Sequence, residues 1–217
     1  TVLLSSSITN GFGNAAAILD NGSIVVVGKD YENFDNIVVF RVLNNGSLDN
    51  AFGSNGRKLI NLGMQESGLG SVLLQPDGKI LIGGYMIDQN GLSSFFCLRL
   101  LDNAAIDNNF AANGIFKTPP VAVSFIELYS LLLTPDHKII LTGFVTNTSG
   151  ITGAVSVVKL LSNGSTDNSF NGTGLNFYYK SLHNDSTYVF PYAAALHPDS
   201  SLYITGEAYN LSNEQQP

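Results

Sequence analysis

The sequence predicts an all-β fold made of a repeated unit of four short strands, and two repeats carry this prediction. A motif of the form Asn-Gly-x-x-Asp-x-x-Phe-Gly-x-x-Gly at 45–56 returns in related form at 103–114 and 163–174. An apolar hairpin pattern occurs four times, with its turn residue at 21, 77, 136 and 199. Four short strands at a period near 58 residues (49 to 107) indicate a β-propeller-like array of four-stranded antiparallel blades.

Each unit is predicted to contain one hairpin. The first hairpin turns at Asn21-Gly22, a pair that tolerates positive φ, and the others turn at Pro-Asp-x. A glycine follows seven residues after every turn residue, at 28, 84, 143 and 206. The first hairpin strand starts with a small residue, which we expect beside a crowded propeller axis: Ala15, Ser71, Ser130 and Ala193. Before the first hairpin, Thr1–Ser6 predicts a strand and residues 10–13 predict a turn.

A third strand follows each of the first three hairpins, and a fourth strand follows the motif. The third strands are predicted at 37–42, 95–100 and 155–160, and each carries one basic residue, Arg41, Arg99 or Lys159. The Phe-Gly motif then leads into fourth strands at 57–62, 115–118 and 175–179. The 217 residues are therefore expected to form a single repeat domain with units at about 1–56, 57–114 and 115–174. An incomplete fourth unit at 175–217 suggests a slice of a larger propeller.

The composition excludes several classes of partner. Only 12% of the residues are charged, the net charge is −7, and the ten Lys and Arg residues form no cluster. Nucleic-acid binding and adhesion to an anionic membrane surface are therefore not expected. No apolar run reaches the 18 or so residues of a membrane helix, so we expect no membrane insertion. A single cysteine rules out a framework of disulfides within the chain.

Two motifs resemble a known family. Pro-Asp-Gly-Lys-Ile-Leu-Ile-Gly-Gly at 76–84, together with the motif at 45–56, resembles the bacterial delta-sixty repeat family. The resemblance covers essentially the whole chain, and it implies propeller-like blades in a bacterial surface, envelope or secreted protein. It therefore implies an extracellular, cell-surface or periplasmic location, and it brings no catalytic residues. The sequence departs from the family pattern where other residues replace glycine, at Ala104, Ala111, His137 and Ser200.

The recurrent acidic residues of the motif raise the question of calcium. Asp49, Asp107 and Asp167 lie in oxygen-rich loops, which suit a hard cation. However, their spacing is not that of a known calcium loop, and Asp side chains also fix turns by accepting backbone N–H bonds. We therefore treat the three residues as weak calcium candidates, and the sequence indicates no other cofactor. The neighbouring Arg41, Arg99 and Lys159 form either a repeated ion pair with these residues or solvated charges.

Residues that do not repeat are better candidates for function, because a single site breaks the symmetry of the repeat. Glu66, Glu127, His183 and Asp185 are expected in loops between a fourth strand and the next hairpin, on one face of a propeller. Aromatic residues also crowd the last unit: Phe177, Tyr178, Tyr179, Tyr188, Phe190 and Tyr192. Cys97 aligns with two valines and is expected in the core. His197, at the end of a strand beside a proline, is expected to have a packing role.

The function favoured by the sequence is not enzymatic. We expect a rigid repeat scaffold that binds protein or carbohydrate, associates with further repeats of its own protein, or builds an envelope-associated assembly. The alternative is a propeller hydrolase acting through paired carboxylates on one face. Carboxylates within about 10 Å of each other in a cleft would favour the enzyme.

Overall fold

A computed structural model describes residues 11–30, 36–123, 125–148, 153–178 and 187–210, the last segment with backbone only at 187, 188, 209 and 210. Every regular element in these ranges is a β-strand. The predicted strand at Thr1–Ser6 and the candidates His183 and Asp185 lie outside the described residues. Within those ranges, no helix is long and apolar enough to cross a membrane.

Four antiparallel sheets follow one another along the chain, and we refer to them as blades 1 to 4. Blade 1 contains β1 (Gly11–Ile18), β2 (Ile24–Asp30), β3 (Asn36–Val42) and β4 (Arg57–Ile60). Blade 2 contains β5 (Glu66–Leu74), β6 (Ile80–Ile87), β7 (Ser93–Leu100) and β8 (Ile115–Lys117). Blade 3 contains β9 (Ile126–Leu133), β10 (Ile139–Thr146), β11 (Gly153–Leu160) and β12 (Leu175–Tyr178). In blade 4, β13 (Thr187–Leu196) pairs with β14 (Leu202–Asn210). The all-β fold of four-stranded blades predicted from the sequence is confirmed.

The first strands of successive blades lie side by side. β1 contacts β5, β5 contacts β9, and β9 contacts β13, so these strands form one continuous wall. This is the arrangement of innermost strands around a propeller axis. Each of them also carries a β-bulge at the same repeat position, immediately before the small residue noted in the sequence. The bulged residues are Asn14, Gly70, Tyr129 and Tyr192.

The turn predicted at residues 10–13 is wrong for the part that the structure describes. Gly11, Phe12 and Gly13 belong to β1 and pair with Asp30, Lys29 and Gly28 of β2. The close approach of the two strands at this point depends on Gly28, which pairs with Gly13. A Cβ at Gly28 would lie 2.3 Å from the backbone oxygen of Phe12.

The core lies between blades rather than within them. One apolar cluster joins blades 1 and 2 and contains Phe52, and a second joins blades 2 and 3 and contains Phe110. Both rings are fully buried, whereas their counterpart Phe170, which packs against the cluster between blades 3 and 4, is partly exposed. The phenylalanine of the repeated motif is therefore an anchor that holds one blade to the next.

The basic residues of the third strands form ion pairs with the motif aspartates. Arg41 Nε lies 2.6 Å from Asp49 Oδ2, and Arg99 Nε lies 2.8 Å from Asp107 Oδ2. These arginine side chains are 10% and 9% exposed, so the ion-pair alternative holds for both. The third pair is looser, because Lys159 Nζ lies 3.9 Å from Asp167 and is 27% exposed.

The same arginines also connect neighbouring blades. The Nη1 of Arg41 donates to the carbonyl oxygen of Asp102 at 2.9 Å, and the Nη1 of Arg99 donates to that of Ser162 at 2.7 Å. Each guanidinium lies over the motif phenylalanine of its own blade, 4.8 Å and 4.5 Å from the ring centroids. The arginine of the third strand thus pairs with the motif aspartate of its own blade, packs on the motif phenylalanine and donates a hydrogen bond to the next blade.

The residues that replace glycine keep the turn conformation. Ala104, Ala111, His137 and Ser200 adopt φ of 69°, 45°, 60° and 70°, the left-handed region that favours glycine. The departures from the family pattern therefore leave the turn geometry unchanged and add local backbone strain.

Candidate functional site

The two glutamates singled out in the sequence lie close to the propeller axis. Their predicted placement in loops is wrong: Glu66 is the first residue of β5, and Glu127 is the second residue of β9. The hairpins extend further toward this end than predicted, because pairing with β6 and β10 continues beyond the bulges. Both residues line one cleft of about 550 Å³.

Three consecutive blades contribute to this cleft. Blade 1 supplies Phe12, Asn14 and Lys29, blade 2 supplies Glu66 and Tyr85 together with residues 67–69, and blade 3 supplies Glu127. These positions differ from blade to blade, unlike the motif residues. The cleft, which we call the axial cleft, therefore breaks the symmetry of the repeat, as expected of a single ligand site.

Hydrogen bonds hold the acidic groups of the axial cleft in place. The hydroxyl of Tyr85 donates to Glu66 Oε1 at 3.2 Å, and that of Tyr129 donates to Glu127 Oε2 at 2.8 Å. The ammonium group of Lys29 donates to the carbonyl oxygen of Ser67. Each carboxylate has a second oxygen with lone pairs for a ligand.

Blade 2 carries glycine beside the axial cleft where its neighbours carry side chains. A Cβ at Gly68 would lie 2.0 Å from a Tyr85 ring carbon, and a Cβ at Gly70 would lie 2.0 Å from the Leu128 carbonyl oxygen. Blade 3 has Glu127 and Tyr129 at the equivalent positions. The two glycines therefore let the Tyr85 ring and the backbone of blade 3 pack closely against β5.

The electrostatic environment keeps Tyr129 protonated. Burial raises the pKa of its hydroxyl, and the hydrogen bond to Glu127 raises it further, so Tyr129 remains a donor at neutral pH. Two aromatic side chains at this end of the inner strands are exposed: Phe12, 46% exposed in the cleft, and Tyr192, 55% exposed at the bulge of blade 4. The site therefore offers carboxylate acceptors, an amide, an ammonium group and aromatic surface.

The weak calcium candidates Asp49, Asp107 and Asp167 have other contacts. Each Oδ1 accepts a backbone N–H two residues on, from Ala51, Asn109 and Ser169, at 3.0–3.1 Å. The hydroxyl of Ser169 also donates to Asp167, and this bond lowers the pKa of that carboxyl. Among the residues that the structure describes, no three His, Cys, Asp or Glu are grouped so that they could hold a metal ion.

The remaining candidates are structural or peripheral. Cys97 is fully buried, and burial raises the pKa of its thiol to about 12. The ring of Phe190 stacks on Phe144 with centroids 4.3 Å apart, whereas the side chain of Tyr178 is 47% exposed. His197 packs edge-on against Tyr203, with ring centroids 5.9 Å apart, in agreement with the expected packing role. Its side chain is nevertheless 53% exposed, and its Nδ1 lies 2.9 Å from Asp199 Oδ1.

Sequence reasoning missed four residues around the two glutamates: Tyr85 and Tyr129, which bond to them, and Asn14 and Lys29, which line the same cleft. A signal for two of them was present, because Asn14 and Tyr129 directly precede the small residue that starts the repeated hairpin strand. A residue that differs between repeats, directly before a position that is always small, marks the bulge. No signal in the sequence identified Lys29 or Tyr85, which reach the axial cleft from second strands.

The comparisons with known proteins agree with this architecture. The family described as "Domain of unknown function (DUF5122) beta-propeller" matches residues 19–52, 75–110 and 134–170. No curated protein matches the sequence. The three matched segments contain the hairpin turns, the third strands and the first part of the motif.

Two solved structures are similar to this chain to different degrees. A crystal structure of glucose dehydrogenase shows the same fold, with a TM-score of 0.55 and 12% identity over 88% of this chain. The chain spans 56% of the length of that protein. A protein of unknown function from Bacteroides caccae gives a TM-score of 0.30 and 10% identity, covering 73% of this chain and 66% of its own. From the repeats, the four sheets and the family match together, the chain belongs to a β-propeller repeat family.

Proposed function

We propose that the chain is a non-enzymatic binding scaffold whose axial cleft takes a carbohydrate. The observation that supports this proposal most directly is the cleft itself, where three blades bring together residues that do not repeat. A repeat scaffold that served only as a spacer would need no such asymmetry. The rest of the fold holds these side chains on paired strands, which position them more precisely than loops would.

The chemistry of the axial cleft favours a sugar over a protein. Sugar hydroxyls donate to carboxylates such as those of Glu66 and Glu127, and they accept from amide and ammonium groups such as those of Asn14 and Lys29. The exposed face of Phe12 suits the C–H face of a sugar ring. A volume of about 550 Å³ is in the range of small-ligand sites, whereas a stable protein interface buries about 800 Å² on each partner.

The setting of the scaffold follows from the family resemblance. We propose a delta-sixty repeat protein of a bacterial surface, envelope or secreted protein, in which these blades adjoin further repeats. The low share of charged residues and the many Asn, Ser and Gly turns are compatible with that setting. A glycan of the cell's surroundings or of its own envelope would then be within reach of the axial cleft.

The decisive experiment is a glycan-array screen followed by calorimetry on the best ligand. Glu127→Gln and Asn14→Ala should each weaken binding by tenfold or more, because the first replaces a charged acceptor with a weaker neutral one and the second removes the amide. Asp20→Asn is the matched control, since this exposed residue lies at the hairpin turn, at the other end of the blade. A screen without binders, or binding that the cleft variants leave unchanged, would refute the proposal.

A propeller hydrolase remains the second candidate, because Glu66 and Glu127 line the same cleft. Two carboxylates beside a bound sugar can act as general acid and as base or nucleophile. Chromogenic glycosides test this directly: an enzyme would release the chromophore, and Glu66→Gln and Glu127→Gln would each abolish the release. Binding of a glycan without turnover by the wild-type chain would leave the scaffold as the function.

A further inference from the structure

We propose that the binding surface of the axial cleft continues onto blade 4, so that the chain binds an oligosaccharide of several linked rings rather than a single sugar. This inference rests on the proposed carbohydrate function and names the size of its ligand. It assigns Tyr192, which lies beyond the cleft of about 550 Å³, as a second aromatic surface for the glycan. The first is Phe12, in the blade at the other end of the row.

The bulge residues of three blades form a row at this end of the inner strands. Asn14 lines the axial cleft, and its amide donates to the carbonyl oxygen of Leu69 in blade 2 at 3.4 Å. Tyr129 in blade 3 donates to Glu127, which also lines the cleft. Tyr192 holds the same bulge position in blade 4. The repeat therefore places it at the same end of the wall of inner strands as Asn14 and Tyr129.

Two observations bring Tyr192 close to the cleft residues of blade 3. Burial and the neighbouring Glu127 raise the pKa of the Tyr129 hydroxyl, and Tyr192 raises it further. A charge effect of this kind requires the two hydroxyls to lie near each other. The strands β9 and β13, which carry the two tyrosines, are also in contact. The binding surface therefore continues from Glu127 over Tyr129 to Tyr192.

The junction between blades 3 and 4 keeps a ligand on the surface at this point. Phe190 in blade 4 is equivalent to Glu127 in blade 3, since each lies two residues before its bulge. Phe144 in blade 3 is equivalent to Tyr85 in blade 2. The rings of Phe144 and Phe190 stack with centroids 4.3 Å apart, so they fill the space beside the inner strands. A glycan that leaves the cleft therefore passes over the wall, where Tyr192 is 55% exposed.

The separation of the two aromatic surfaces sets the length of the ligand. Phe12 belongs to blade 1 and Tyr192 to blade 4, so three steps from blade to blade lie between them. Paired strands are about 4.7 Å apart and stacked sheets about 10 Å, so three steps cover at least about 14 Å. One sugar ring cannot bridge this distance. A chain of rings can place a C–H face on each aromatic side chain and donate its hydroxyls to Glu66 and Glu127 between them.

The test is calorimetric titration of the full chain with cello-oligosaccharides and malto-oligosaccharides, from the disaccharide to the hexasaccharide. In the series that binds, we expect the affinity to rise by about tenfold or more with chain length, the effect of one added stacking contact. Tyr192→Ala should remove this rise, so that every length binds as the disaccharide does. Tyr192→Phe should retain most of it, because the ring is kept.

The matched control is Tyr203→Ala. It removes another tyrosine of blade 4 that is 61% exposed, but Tyr203 lies at the turn end of the same hairpin, where it pairs with Ala195. This variant should leave the dependence on chain length as it is in the wild-type chain.

Three outcomes would overturn the proposal. The first is an affinity that does not depend on chain length, and the second is a dependence that Tyr192→Ala leaves intact. The third is the absence of binding in both series by a chain that circular dichroism shows to be folded. The proposed function is tested separately by the glycan array. A glycan that binds through Glu127 and Asn14 without any effect of Tyr192→Ala would leave the scaffold function standing and refute only the extension onto blade 4.

Discussion

Replacing Arg99 by methionine is the most direct test of how the repeated motif holds the blades together. The side chains of Arg99 and Asp107 are 9% and 3% exposed, and their atoms meet at 2.8 Å. Removing one partner of a buried pair costs about 3–5 kcal/mol, because the other charge stays buried without compensation. The variant also loses the bond to Ser162 and the contact with the Phe110 ring, worth about 1 kcal/mol each.

Two effects reduce this cost. Asp107 keeps the backbone N–H of Asn109 at 3.1 Å, and methionine restores part of the apolar packing on Phe110. With these two offsets set against the losses above, we expect Arg99→Met to lower the free energy of unfolding by about 3–5 kcal/mol, the usual loss for a broken buried ion pair. This is a large share of the roughly 5–15 kcal/mol that stabilises an ordinary domain.

The chain contains its own control at the equivalent position of blade 3. Lys159 Nζ lies 3.9 Å from Asp167 and is 27% exposed, so its pair resembles a surface salt bridge. Lys159→Met should therefore cost at most about 1 kcal/mol. In addition, Asp167 keeps Lys138 Nζ at 3.1 Å when Lys159 is removed, so no buried charge is left without a partner.

Urea denaturation followed by circular dichroism at pH 7 measures both values from the shift of the midpoint at constant slope. Adding Asp107→Asn to Arg99→Met should recover about 1–2 kcal/mol, because it removes the uncompensated charge and keeps an acceptor for Asn109. Equal losses for Arg99→Met and Lys159→Met would refute the reasoning. So would strict additivity of the double variant.

Three further predictions use other features of the fold. His137→Gly should raise the free energy of unfolding by about 0.5–1 kcal/mol in urea titrations, since His137 is exposed at φ 60°; a loss would contradict it. Cys97, whose pKa is raised to about 12, should not react with a thiol reagent at pH 8 until the chain unfolds, and stability should fall above pH 9, where the unfolded thiol ionises. Phe110→Ala should cost about 3–5 kcal/mol, and Phe170→Ala clearly less because its ring is partly exposed.

The blades were predictable because their signals are local and occur several times. The hairpin turns at 21, 77, 136 and 199 and the third strands at 37–42, 95–100 and 155–160 agree with the structure to within a residue or two. Turn chemistry and apolar runs act over a few residues, so repetition removes the ambiguity of any single copy. The ion pairs of Arg41 and Arg99 stayed open because burial, which decides their strength, depends on the next blade.

The axial cleft was predictable only in part, because it depends on strand ends and on contacts between blades. Glu66 and Glu127 stood out as residues that do not repeat, but their placement in loops was wrong. Lys29 and Tyr85 come from second strands of two different blades, and only the closeness of β1, β5 and β9 brings them to the glutamates. No spacing along the chain contains that information.

The bulge at the start of each inner strand explains how one repeat can carry both a constant frame and a variable site. Because an extra residue in a strand is left outside the ladder, its identity does not affect the pairing of its neighbours. This position is occupied by Asn14, Gly70, Tyr129 and Tyr192. The residue after it is small in every blade: Ala15, Ser71, Ser130 and Ala193. Asn14 lines the axial cleft and Tyr129 bonds to Glu127, so substitutions at these two bulge positions alter the cleft without shifting the register. Gly70 is not open to change in this way, because a Cβ there would lie 2.0 Å from the carbonyl oxygen of Leu128. A change of ligand specificity would therefore first appear at Asn14 and Tyr129.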